Sequence, residues 1–145
     1  MALLRIVFIL LCFVGVAQAE SIVSRSQGSP KACTPTYGAN GSMTFTSVTT
    51  STCSYTQIGK FVFIRFDITG TTGGTASDEI TISMPVATKA VNQAAIVRSI
   101  DGTSGVAEAY FGDSDDLLHV FKSGGGNWGL GSGKRIIATV WYEAS

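Results

Sequence analysis

The stretch Tyr55-Thr-Gln-Ile-Gly-Lys-Phe-Val-Phe-Ile-Arg-Phe-Asp-Ile-Thr-Gly70 decides the fold. Val62, Ile64, Phe66 and Ile68 stand two residues apart, so their side chains project to one side of a strand. Gly59-Lys60 separates that run from residues 54–58, a second run of strand-forming residues. Glycine first in a two-residue loop suits a type II′ turn, so the stretch reads as a hairpin feeding a core strand.

The rest of the chain carries the same period. Residues 43–48 alternate, and in residues 79–84 Ile80, Ile82 and Met84 share one face. Pro85 then removes a ladder donor. Residues 94–100 and 106–112 flank Asp101-Gly102, a strong turn pair. Residues 117–121 and 135–143 give two more strands, whereas 70–77 and 124–133 read as glycine-rich loops. Residues 86–95 are the one weak helical stretch. The expectation is an all-β, antiparallel β-sandwich, jelly-roll-like, with about eight strands.

Residues 1–19 stand apart from this fold. Arg5 is followed by an apolar run, and Ala17-Gln18-Ala19 places small residues where a signal peptidase reads. They are expected to form a secretory signal peptide cut before Glu20, since the run falls short of the ~20 residues a membrane span needs. Residues 20–41, with Pro30 and Pro35, read as an N-terminal arm or linker, and residues 42–145 as the β-sandwich domain. Ten acidic residues face ten basic ones, and Arg5 leaves with the leader. A chain this close to neutral has no electrostatic footprint for nucleic acid, and no basic amphipathic segment offers itself to a membrane.

Beyond the leader lie two cysteines, Cys33 and Cys53. Export to an oxidising compartment favours a disulfide between them. Two strands are apolar on both faces: Phe61 and Phe63 stand opposite the Val62 row, and Trp141 stands opposite Val140 and Tyr142. A second apolar face calls for a second cover. A neighbouring subunit meeting Phe61, Phe63 and Trp141 is one cover, and the arm or the 124–133 loop is the other.

The run Tyr55-Thr-x-Ile-Gly-x-x-Val-x-Ile-x-x-x-Ile-x-Gly70, with Ile80-Thr-Ile-Ser-Met-Pro85 and the closing Ala138-Thr-Val-Trp-Tyr142, resembles the C-terminal receptor-binding head domains of bacteriophage tail fibres. The resemblance spans roughly residues 42–145. It implies a β-sandwich, often trimeric, that binds host-surface carbohydrate or protein through its loops. The export signal departs from that pattern, because tail fibres assemble in the host cytoplasm. Two origins accommodate it: a virus whose structural proteins cross the inner membrane, or a bacterium that secretes a domain of viral descent.

Little in the chain points to catalysis. His119 is the one histidine, set between Leu118 and Val120, and zinc wants three or four clustered ligands. Gly124, Gly126 and Gly129 match G-x-G-x-x-G, but no helix follows to make it a dinucleotide site. Asn127-Trp128 lies among glycines and offers an amide beside a ring on which a sugar stacks. Asn127 and Trp128, joined by Asp101 and Asp113 from neighbouring turns, are therefore the candidate ligand contacts; the alternative for Trp128 is that its ring folds down as a plug on the end of the sandwich, because a tryptophan is costly to leave wet. Asp113, Asp115 and Asp116 form a weak calcium candidate without the EF-hand spacing, and no cofactor is expected.

The functional expectation is an exported, non-enzymatic module that attaches a virion or cell to a surface carbohydrate or protein. It is expected to act outside the cytoplasm as a homotrimer. Two alternatives stand beside it. One is a virion spike or decoration subunit, and the other a secreted bacterial domain, including one that acts on glycans.

Overall fold

The computed structural model describes residues 28–89, 92–112 and 115–145. The expected signal peptide lies outside them, as do residues 20–27 of the expected arm. Nine strands occur among the described residues: β1 (Lys31–Ala32), β2 (Tyr37–Ala39), β3 (Met43–Ile58), β4 (Phe61–Gly74), β5 (Glu79–Ser83), β6 (Gln93–Asp101), β7 (Thr103–Phe111), β8 (Leu117–Phe121) and β9 (Gly131–Glu143). None of the described residues is helical, those of 86–95 included. Every strand pair is antiparallel, as the alternation in the sequence requires.

The ladder runs unbroken in the order β1-β3-β4-β9-β6-β7-β8-β5-β2. The all-β antiparallel class is as expected, but the pairing gives one continuous sheet and does not itself divide into two layers. Simple lengths show that this sheet must curl. Laid flat, nine strands ~4.8 Å apart would put the two edges ~38 Å from one another. Yet β1 and β2 are those edges, and only the short path from Ala32 to Tyr37 joins them. Such a path spans at most ~18 Å. The edges therefore come round towards each other, and Tyr37 on β2 meets Phe45 on β3 edge-to-face at 6.0 Å. Part of the expected linker is thus a strap of two short edge strands. Cys33, bonded to Cys53 on β3, pins it.

The concave side of the curl is the core. Val62, Ile64, Phe66 and Ile68 are buried there, facing Ile136, Ala138, Val140 and Tyr142 of β9. Ile80, Ile82, Leu118, Val120, Ala107, Ala109 and Phe111 complete the lining. Tyr142 donates its hydroxyl to the Val86 carbonyl at 2.9 Å, and burial pushes its pKa up to about 12. Gly59 has a φ of +60° and Lys60 has no positive φ, the pattern of a II′ hairpin.

Two elements are longer than the sequence suggested. β3 is one strand with an irregularity between Thr46 and Thr50, where Ser47 takes a φ of +52°. β4 continues through the expected 70–77 loop as far as Gly74. Gly70 makes this possible, because a Cβ there would sit 2.6 Å from the Phe45 ring. Two neighbouring pairs, by contrast, are short. β6 meets β9 only at Arg98, Ser99 and Ile100, and β7 meets β8 only at Ala109, Tyr110 and Phe111. Beyond those points the strands separate and leave clefts on the outer face.

The strap gives a first prediction. Replacing Cys33 and Cys53 together by alanine should cost roughly 3 kcal/mol, the loop-entropy value for a bridge closing about twenty residues. Urea unfolding with and without reductant measures it. Reduction should lower the wild-type midpoint and leave the double variant unmoved.

Candidate functional site

A cleft between β7 and β8 brings charged residues to a concavity on the outer face. It opens where the ladder stops at Ala109 opposite Val120. β7 runs on towards Thr103, while the chain after β8 turns away at Lys122. Gly124, Gly125 and Gly126 then take φ values of +77°, +78° and +75° in succession. Side-chain-bearing residues rarely adopt that region, so three in a row is a turn only glycine makes cheaply. The resulting groove has a volume of about 480 Å³. Val106, Phe121 and the glycine turn line it, with the charged groups of Asp78, Glu108 and Lys122.

The loop that forms one wall is held from behind by Asp101. The Asp101 carboxylate accepts hydrogen bonds from the Gly129 N–H at 2.7 Å and from Lys134 Nζ, and Lys122 Nζ stands 3.3 Å away. Burial works to raise the Asp101 pKa, but the Gly129 N–H and the two lysines outweigh it and hold the carboxyl below its usual range. Thr72 donates to the Gly129 carbonyl at 2.6 Å, and the Trp128 N–H reaches the Ser77 carbonyl at 2.8 Å.

These contacts relocate the expected ligand residues. Trp128 is fully buried in the core cluster, so its ring is a plug and not a stacking surface. A large aromatic gains more from burial than from exposure at a loop tip. Asp101 is half-buried, its side chain only 7% exposed, with its oxygens committed to the loop and two lysines. Asn127 is exposed, but its side-chain amide donates to the Ala76 carbonyl at 3.2 Å. Asp113 lies outside the described residues.

Asp115 and Asp116 diverge. Asp115 meets His119 Nε2 at 2.7 Å, whereas Asp116 accepts from the Thr88 N–H at 2.6 Å. Among the described residues no group of three His, Cys, Asp or Glu side chains is placed to hold a metal ion. Asp67 is paired too. Its hydrogen bonds to Arg135, at 2.8 and 2.6 Å, hold its pKa below the usual carboxylate value.

Sequence reasoning missed the outer-face residues of β7 and β8. Val106, Glu108 and Tyr110 alternate with buried Ala107, Ala109 and Phe111, so that period, once fixed, points them outward. His119 and Phe121 follow from buried Leu118 and Val120 in the same way. Tyr110 stacks on His119 with ring centroids 4.6 Å apart, and on Phe121 at 5.8 Å. The register that makes these rows neighbours is a tertiary fact with no local signal.

A second outer feature is apolar. Phe61, Phe63 and Trp141 are 47%, 46% and 51% exposed. Phe63 pairs with Trp141 across β4 and β9, and the Phe61 and Trp141 rings pack at 5.9 Å. Beside them a cleft of about 470 Å³ runs along Ala94, Ile96, Thr139 and Trp141, where β6 and β9 separate. Neither the 28–41 strap nor the 123–130 loop buries the three aromatic side chains.

Compared with known protein families, with curated proteins and with solved structures, the chain matches none. Among the described residues no helix is long and apolar enough to cross a membrane. The bonded Cys33–Cys53 pair is compatible with an extracellular setting.

The state of Trp128 gives a second prediction. Its Nε1 is buried and finds no hydrogen-bond partner among the described residues. Trp128→Ala removes a plug and should cost about 3–5 kcal/mol. Trp128→Phe keeps an aromatic and deletes the unsatisfied donor, so it should cost less than about 1.5 kcal/mol. Denaturant midpoints compare the two, and equal losses would mean that the indole N–H does have a partner.

Proposed function

We propose that this chain is an exported, non-enzymatic binding module that attaches a particle or a cell to a surface ligand, with the β7–β8 groove as its contact site. The groove carries the reading. Its glycine turn leaves backbone open to a ligand, Phe121 offers an apolar wall, and Asp78 and Glu108 offer acceptors. A few polar groups converging on an apolar concavity is the usual make-up of a binding site. The resemblance of the Tyr55 to Gly70 run to tail-fibre heads supports the same reading, and makes a surface carbohydrate or protein the expected ligand. Export is part of the proposal, resting on residues 1–19 and the disulfide.

The test is a binding comparison on a glycan array and on whole cells. The double variant Phe121→Ala/Glu108→Gln should lose at least about tenfold in affinity, about 1.4 kcal/mol. Circular dichroism should show an unchanged strand signal. Full binding by the folded variant would remove the groove from the account.

A second reading has its own observation. The half-exposed Phe61, Phe63 and Trp141 fit a structural subunit whose copies meet on that face, with a homotrimer as the expected assembly. Sedimentation at micromolar concentration should then give an oligomer that Phe63→Ser disperses. A strict wild-type monomer would dismiss this reading and leave the groove untouched.

A further inference from the structure

Most of the described carboxylates are already engaged. Asp67 is bonded to Arg135, Glu143 to Lys89, and Asp101 to Lys134 and Lys122. Glu79 and Asp115 meet His119, and Asp116 accepts from the Thr88 N–H. Among the described residues two are left with neither a cation nor a backbone N–H. Asp78 takes only a long bond from the Ser77 hydroxyl at 3.3 Å, and Glu108 takes none. Both line the β7–β8 groove.

Register places these two on either side of Phe121. Continued past Ala109 and Val120, the β7–β8 register brings Glu108 opposite Phe121. On the far side Phe121 pairs with Glu79, and Asp78 is the residue before it. The groove is closed at both ends. The last ladder pair shuts one, and at the other Gly105 passes so close to Ser123 that a Cβ there would strike its hydroxyl. Between them Gly124, Gly125 and Gly126 have open space where side chains would stand, and Val106 is 71% exposed. The neighbouring cations do not answer the two carboxylates. Lys122 lines the groove, but its Nζ donates to the Asn127 carbonyl at 3.1 Å and pairs with Asp101. Arg98, opposite Val106 on β6, gives its Nε to the Ser104 hydroxyl at 2.8 Å.

We propose that the groove takes a basic side chain, lysine or arginine, of a partner protein. This rests on the groove being the contact site, and narrows its ligand to a cation on an apolar stem. The charged head meets Asp78 and Glu108, where carboxylates without a cation of their own make charge-assisted hydrogen bonds. The methylene stem lies along Val106 and Phe121, as long basic side chains do on apolar surface. The face of the Phe121 ring adds a cation–π attraction. An amino sugar fits less well, because its ammonium stands directly on a ring edged with hydroxyls and offers no stem to Val106. An anionic ligand meets like charge at both carboxylates.

Amide NMR titrations of the disulfide-bonded chain with tri-lysine and tri-arginine test this, beside tri-glutamate and the free-amine glucosamine trimer. Saturable shifts at Glu108, Phe121 and residues 124–126 are expected with the basic peptides alone. Asp78→Asn/Glu108→Gln should weaken them by about tenfold, roughly threefold for each exposed contact. Both substitutions lie on the surface, and an unchanged amide spectrum away from the groove checks that the variant folds. No saturable shift with either basic peptide, equal affinity in the double variant, or a response confined to the glucosamine trimer or tri-glutamate overturns the proposal. Binding to whole cells separates this from the groove itself. If Phe121→Ala loses that binding while the charge variant keeps it, the groove stands and the basic ligand falls. If neither variant loses it, the groove reading falls as well.

Discussion

The whole structure hangs on bringing two sheet edges within reach of a handful of residues. Ala32 ends one edge strand and Tyr37 begins the other, so the curl is a geometric necessity once both strands pair. The hydrophobic rows set which face is concave. Val62, Ile64, Phe66 and Ile68 bury best if the sheet wraps around them. The disulfide to Cys53 then holds the strap against β3, and the Tyr37–Phe45 contact packs where the edges approach. A curled sheet also shelters its edges, which are otherwise templates for unwanted pairing.

Trp128 is fully buried in the core cluster, next in the chain to Gly129, whose N–H Asp101 holds. On the convex side the strands do not pair evenly. The β7–β8 and β6–β9 ladders stop early, and each separation opens a cleft. One is edged by carboxylates and a glycine turn, the other by Trp141 and Ile96. That division of chemistry is why the first reads as a ligand groove and the second as part of an interface.

The alternation of single strands was legible, and with it the class. The inward rows, the II′ hairpin at Gly59-Lys60 and the turn at Asp101-Gly102 follow from local pattern, and the Cys33–Cys53 bridge was expected from the export signal read in residues 1–19. What depended on register was not. Nothing near His119 announces Glu79 forty residues earlier, and nothing near Asp101 announces Lys134. The arm misled because Pro30 and Pro35 argue against regular structure, while two- and three-residue edge strands fit between and after them. Trp128 was open in the sequence between a stacking face at a loop tip and a plug on the core, and the structure gives the plug. The fold uses those glycines to turn the chain back, so that the ring enters the core.

The two charged nodes of the molecule differ in a way that assigns them different work. Asp101 meets two lysines and a backbone N–H, so its charge is over-compensated and its carboxyl stays ionised through neutral pH. A buried ion group of this kind adds little net stability, because desolvation offsets the attraction. Its value is positional, since only one placement of the 123–130 loop satisfies all its partners. His119 has the reverse balance: two carboxylates face one ring, and both accept a hydrogen bond from it only while both ring nitrogens carry protons. The fold thus fixes one wall of the groove by a carboxylate that stays ionised, and sets a protonatable ring between two others.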